Sequence, residues 1–174
     1  KSNIAILYFH GGGYVLGSIA THDPWLQFFS SYIGARIFSL EYSLAPENKF
    51  PTALEDANIA LNWLATENHL SIAGVSVCGD SAGAHLAASL STYRAMNGLE
   101  LPHSQCLLYP MVDPSCNSKS QIDFKTGYFL SHEAMVWFWK QIMASNDNLN
   151  EPTYNLKLDP KAALPKTLII TAGF

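Results

Sequence analysis

The sequence predicts an α/β protein built on a mostly parallel sheet with helices on both faces. Two observations lead there. Short apolar runs rich in β-branched residues alternate with longer stretches of helical periodicity, the pattern of βαβ units. Two glycine-rich motifs, His10-Gly11-Gly12-Gly13 and Gly79-Asp80-Ser81-Ala82-Gly83, each follow such a run directly. Right-handed crossovers then set both motifs at the carboxyl ends of strands, the rim where such sheets bind ligands.

Residues 4–9 form a continuous apolar run, fit for a strand buried on both faces. Residues 23–33 carry apolar positions at helical spacing, with Pro24 tolerated in the first turn and Gly34 as the stop. A second strand covers 35–40, and the two prolines within 45–51 make that stretch a loop. Thr52-Ala53-Leu54-Glu55 reads as a capping box opening a helix to Thr66, with Leu54, Ala57, Leu61 and Leu64 on one face. A third strand spans 72–78, and a small-residue helix runs from Ala82 to Asn97, closed by Gly98. A fourth strand covers 105–109, and 110–130 is irregular. Ser131 can cap an aromatic helix over 132–145, either a core helix or a lid. Trp137 and Trp139 cannot both face inward at helical spacing. Residues 146–166 are polar and proline-punctuated, and 167–171 form a fifth strand.

Composition narrows the function. The chain has 174 residues, 48% apolar and 14% charged, which suits one globular domain. A net charge of −4 gives no electrostatic footprint for nucleic acid or an anionic membrane. No apolar run reaches the length of a bilayer span, and there is no internal repeat. Cys78, Cys106 and Cys116 are odd in number and without short spacing. They argue against a disulfide framework or a metal site and for a reducing, cytoplasmic compartment. Cys78 and Cys106 lie in strand runs and are expected simply to be buried. Lys1-Ser2-Asn3 stands directly before one strand and Thr171-Ala172-Gly173-Phe174 directly after another, so a fragment is expected, whose missing N-terminus could hide a signal peptide.

Gly-x-Ser-x-Gly between a strand and a helix places serine on a strained turn, with Ser81 Oγ raised at the strand's end. Gly79 and Gly83 let the two backbones approach, and the Ala82 N–H points where an acyl oxygen would gain charge. The alternative is a small-residue turn that packs a helix on a sheet. His10-Gly11-Gly12-Gly13 reads as the second wall of an oxyanion hole, its N–H groups unshielded by side chains. A flexible loop and a phosphate nest are the alternatives, the latter without any Gly-x-Gly-x-x-Gly, Lys-Ser/Thr ending or acidic ribose partner.

Together with Tyr14-Val15-Leu16-Gly17-Ser18, the two motifs resemble the hormone-sensitive-lipase-like branch of the α/β-hydrolases. Tyr42-Ser43-Leu44-Ala45-Pro46-Glu47, Phe50-Pro51-Thr52-Ala53-Leu54-Glu55-Asp56-Ala57, Tyr109-Pro110 and the stretch from Leu164 to Phe174 look like the same family, in the same order. The resemblance implies an α/β-hydrolase fold, incomplete at both ends. It implies a single truncated domain over 1–174 with a cap insertion over 111–150. Ser81 matches the nucleophile, and Gly12, Gly13 and Ala82 match the oxyanion-hole donors. His10 matches a loop-shaping residue, with Gly11, Gly79, Asp80 and Gly83 as motif support. The implied activity is hydrolysis of short- to medium-chain acyl esters, small-molecule substrates, through an acyl-enzyme. No cofactor, metal or nucleic-acid partner is implied, and no oligomeric state is set. Ser43, Asn48 and Ala84 depart from the family's usual arginine, histidine and glycine, which alters packing and loop anchoring. The resemblance sets the first two sheet strands and part of the cap before Lys1, and the catalytic aspartate and histidine beyond Phe174.

Histidines within the chain offer no matching base. His85 lies one helical turn beyond Ser81 and points along the helix. His10 belongs to the loop, and His22, His69, His103 and His132 sit in loops or helix starts without an acid motif. Asp80 is adjacent to Ser81, and Asp113 reads as a loop or pocket carboxylate. A non-catalytic, receptor-type binder of small molecules with the same fold is the alternative to the esterase.

Overall fold

The computed structural model describes residues 5–67 and 70–172. Lys1-Ser2-Asn3, Ile4, His69 and Gly173-Phe174 lie outside the described residues. Five parallel strands form one sheet in the order β2-β1-β3-β4-β5. They are β1 (Ala5–Phe9), β2 (Arg36–Leu40), β3 (Val75–Asp80), β4 (Ser104–Leu108) and β5 (Lys166–Ile170). Between them run α1 (Ile19–Ile33), α2 (Thr52–Glu67), α3 (Ala82–Met96), the short α4 (Lys119–Asp123) and α5 (His132–Ile142).

The side chains of each central strand divide between two layers, as the pleat requires. Ala5, Leu7, Phe9, Val75 and Val77 enter the main core with Leu61 and Leu64 of α2 and Leu86 and Leu90 of α3. Tyr8 and Cys78 face the other way, where Leu26 of α1 covers them. Helices therefore lie on both faces, with the larger apolar mass on one. The pairing of β1 with β3 sets Phe9 opposite Gly79, so the two glycine motifs leave the sheet side by side.

Small residues bring α3 unusually close to this seam. A Cβ on Gly83 would stand 2.0 Å from the Phe9 carbonyl oxygen and 2.6 Å from that of His10. Those are main-chain atoms of a central strand, with no flexible end to yield.

Several boundaries differ from the expectations. The first helix begins at Ile19, because Ser18 Oγ accepts from the Thr21 N–H while Thr21 Oγ1 accepts from the Ser18 N–H. Pro24 therefore falls inside the helix and not in its first turn, and it has no N–H to offer the Ala20 carbonyl. Thr52 is the first helical residue and not a cap, since the carbonyl of Pro51 already accepts from Glu55. Residues Ile72–Gly74 make a 3₁₀ turn that delivers the chain into β3. Within 110–130, Ser118 caps α4, whose five residues are too few to show a hydrophobic period. The aromatic helix ends at Ile142, where Met143 turns extended. Trp139 is buried and Trp137 is about half exposed, as helical spacing requires. β5 lies at the sheet edge, and Leu168, Ile169 and Ile170 are exposed along it. Among the described residues no helix is long and apolar enough to cross a membrane.

Gly83→Ala is expected to destabilise the fold by about 3 kcal/mol, because the new methyl group meets immovable backbone. Gly98→Ala, at φ +63° in open space, is expected to cost only about 1 kcal/mol. Urea unfolding midpoints of the two variants at unchanged slope test the difference.

Candidate active site

Ser81 joins β3 to α3 with φ 53° and ψ −114°. A positive φ on a residue with a Cβ stores on the order of 1–3 kcal/mol of strain and persists only when its surroundings over-determine it. Here they do. The Ser81 N–H donates to the Leu108 carbonyl at 2.8 Å, and the Ser81 carbonyl accepts from His85 at 3.0 Å and Met111 at 3.3 Å. The end of β4 and the first turn of α3 thus hold the turn from both sides. Ser81 opens onto a cleft of about 500 Å³ whose walls include Tyr109, Met111, Asp113, Leu130 and Met135.

The glycine loop after β1 is clamped. Asp80 Oδ1 accepts the Gly11 N–H at 2.8 Å and the Tyr8 hydroxyl, with His22 Nε2 at 3.3 Å. The residue before Ser81 therefore fixes the loop across the seam. Gly12, at φ +121°, turns its carbonyl to accept from Val15 and Leu16. The Phe138 ring of α5 occupies the space a Cβ on Gly13 would take. No described residue accepts a hydrogen bond from the N–H of Gly12, Gly13 or Ala82. His10 is fully buried, stacks on Tyr42 at 4.3 Å, and donates from Nδ1 to the Gly11 carbonyl at 2.8 Å. Burial lowers its pKa below the ordinary imidazole value, so it shapes the loop as a neutral ring.

A family model described as alpha/beta hydrolase fold matches residues 6–174. This chain belongs to the α/β-hydrolase-fold family. It is similar to the ethyl acetate hydrolase of Pseudomonas putida, 36% identical over 141 residues, which cover 79% of this chain and 44% of that protein. Human hormone-sensitive lipase is 35% identical over 124 residues, 67% of this chain and 11% of the lipase. The hyperthermophilic esterase of Pyrobaculum calidifontis superposes with a TM-score of 0.90 at 34% identity, over 98% of this chain and 58% of that one. The likeness to hormone-sensitive lipase agrees with the branch that the motifs resemble. The chain spans about half the length of the hydrolase and the esterase, 44% and 58%.

In this α/β-hydrolase chain no described histidine side chain hydrogen-bonds to Ser81. His22 lies against Asp80 and Thr21. His103 contacts the Ala73 carbonyl at the opposite end of the sheet, and His132 donates from Nε2 to the Cys116 carbonyl. Asp113 lines the Ser81 cleft. Burial works to raise its pKa, but hydrogen bonds from Ser115 and Lys157 outweigh that and hold it below the usual carboxylate range. Among the described residues no group of three or more His, Cys, Asp or Glu side chains could hold a metal ion.

The part His85 plays is not visible in the sequence. Its Nδ1 accepts the Tyr14 hydroxyl at 2.7 Å and its Nε2 donates to the Tyr154 carbonyl at 2.8 Å. That carbonyl can only accept, which assigns the tautomer. Trp139 of α5 meets the ring edge-on at 5.2 Å, and Ser89, one turn further along α3, donates to the Thr153 carbonyl. One buried imidazole thus joins the glycine loop, α3, α5 and the segment at 153–154. No local pattern marks this, because the partners come from distant parts of the chain.

Burial lowers the His85 pKa from 6.5 to about 4. The folded state keeps the ring neutral while the unfolded chain takes up a proton below pH 6.5. Stability is therefore expected to fall as pH drops from about 6.5 to about 4, by about 3 kcal/mol in all, and to recover as pH rises. His85→Gln should flatten that slope in urea unfolding measured across this range.

Proposed function

We propose that this chain carries the nucleophile and oxyanion hole of a carboxylesterase that cleaves short- to medium-chain acyl esters. Ser81 Oγ attacks the ester carbonyl. A histidine takes its proton and passes it to the leaving alcohol, and an aspartate holds that histidine's tautomer. Water then releases the acid from the acyl-enzyme. The N–H groups of Gly12, Gly13 and Ala82 bind the tetrahedral oxyanion, each worth on the order of 10²–10³ in rate. The mechanism needs no cofactor.

The observation that carries this reading is the strained Ser81 turn set beside a clamped glycine loop whose Gly12 and Gly13 donors have no acceptor among the described residues. The names of the ethyl acetate hydrolase and the Pyrobaculum esterase support the substrate class. Every described histidine is engaged elsewhere, so the reading takes the base and its aspartate from outside the described residues, after Phe174. Residues 111–150 act as the cap, with Met135 on the cleft and Phe138 over Gly13.

A fluorophosphonate probe, read by intact mass, is expected to add once to the complete enzyme and not at all to Ser81→Ala. The same substitution should lower ester turnover by about 10⁶. An undiminished adduct in Ser81→Ala would remove the reading. The 174-residue chain by itself should stay near background, with about 10³–10⁴ over water left from the oxyanion hole. Turnover at whole-enzyme rates by that chain would overturn the placement of the base.

A further inference from the structure

We propose that Cys78 and Cys106 form a peroxide-sensitive dithiol that closes to a disulfide between β3 and β4. The inference does not depend on the esterase reading. The two residues are register partners on neighbouring parallel strands, and both are free thiols. Register partners on adjacent strands stand about 4.8 Å apart, within the roughly 4.4–6.8 Å Cα separation that a disulfide spans. Both point to the face that α1 covers, Cys78 within its small apolar cluster and Cys106 at the margin. Cys78 is buried, whereas Cys106 is partly exposed. An oxidant therefore reaches Cys106 first.

The thiols also act on one another. Contact with Cys106, and then burial, raises the Cys78 pKa, while contact with Cys78 draws Cys106 below the ordinary thiol value against the effect of its own burial. Cys106 is thus the more readily deprotonated of the two, which is the property an attacking sulfur needs. In the first step the Cys106 thiolate attacks one oxygen of hydrogen peroxide. The O–O bond breaks, the departing hydroxide leaves as water after taking a proton, and Cys106 becomes a sulfenic acid. In the second step the Cys78 sulfur attacks the Cys106 sulfur. The S–O bond breaks, and the oxygen leaves as a second water with the Cys78 proton. Two thiols and one peroxide give one disulfide and two waters.

The bond is expected to be strained. A disulfide needs its Cβ atoms roughly 3.5–4.5 Å apart, less than the ordinary spacing of parallel strands, so closure must draw β3 and β4 together. Strained disulfides have the more oxidising potentials, so the dithiol is the resting form and thiol reductants restore it. The location matters because β3 leads directly into Ser81, and β4 ends at Leu108, whose carbonyl holds the Ser81 N–H. Cys116 serves as an internal control. It is fully buried beyond β4, with its Sγ directed at the Asp113 carbonyl.

The test treats the purified protein with hydrogen peroxide, unfolds it in N-ethylmaleimide, and reads the intact mass and a non-reducing peptide map. In the untreated protein the peptides that contain Cys78, Cys106 and Cys116 should each carry a maleimide. In the oxidised protein, of these three only Cys116 should carry one, and a linked peptide pair containing Cys78 and Cys106 should appear that dithiothreitol separates. Cys116→Ser should form the same link, and Cys106→Ser should form none. Maleimide on both Cys78 and Cys106 after peroxide would overturn the proposal. So would oxygen added at Cys106 with Cys78 still alkylated, or a link between two chains. The wild-type map decides the matter even where a substituted protein folds poorly.

Discussion

The Asp80 carboxylate accepts the N–H of Gly11 across the seam between β1 and β3, and the arrangement of the rim follows from that bond. Each of the two loops would otherwise have many conformations. The glycine loop has little side-chain bulk to restrain it, and Ser81 occupies a backbone region that a residue with a Cβ avoids. By holding Gly11 from the position next to Ser81, Asp80 makes the two loops one rigid unit. Tyr8 and His22 reach the same carboxylate from β1 and α1, so the far face of the sheet also bears on the placement of the loop. The approach of Gly83 to the Phe9 and His10 carbonyls supplies the matching steric condition. A carboxylate and an absent side chain together fix where three main-chain donors can stand.

A second layer of support lies above the sheet. His85 is buried and neutral, and it has a partner at each ring nitrogen. A group so placed is valuable while both partners are present and expensive when one is lost. It connects Tyr14, just beyond the glycine loop, to Tyr154 and Trp139 of the segment between β4 and β5. The position of that segment over the rim is therefore coupled to the loop beneath it. Phe138 against Gly13 makes the same connection by packing alone. The Phe50 N–H bond to the Ile142 carbonyl ties the end of α5 to the entrance of α2.

Much of this was legible before any coordinates. The strands are short and apolar, and the helices between them are bounded by glycine and polar caps, so local pattern located all five strands to within a few residues. The helix ends were harder. The cap at Ser18 uses Thr21 in place of Glu or Gln, and the first turn of α1 has no apolar period, so the sequence pattern sets its start too late and places Pro24 in the first turn. α4 has too few residues to show any period. His85 and Asp113 could be seen as titratable residues near Ser81, but not as a structural hub and a Lys157-paired cleft carboxylate. Cys78 and Cys106 both fall in strand runs of the sequence, yet their pairing depends on register, which apolar runs on two buried strands do not specify.

The sequence by itself determined the alternation of elements, the two glycine motifs, and the residue types able to support a strained serine turn. These depend on backbone sterics and on near neighbours in the chain. The tertiary structure alone decided that β1 and β3 are adjacent, that Asp80 clamps Gly11, that His85 is occupied at both nitrogens, and that two cysteines face each other across β3 and β4. Each of those contacts joins residues far apart in sequence, whose distance is set by how strands pair and helices pack and by no local preference of either partner.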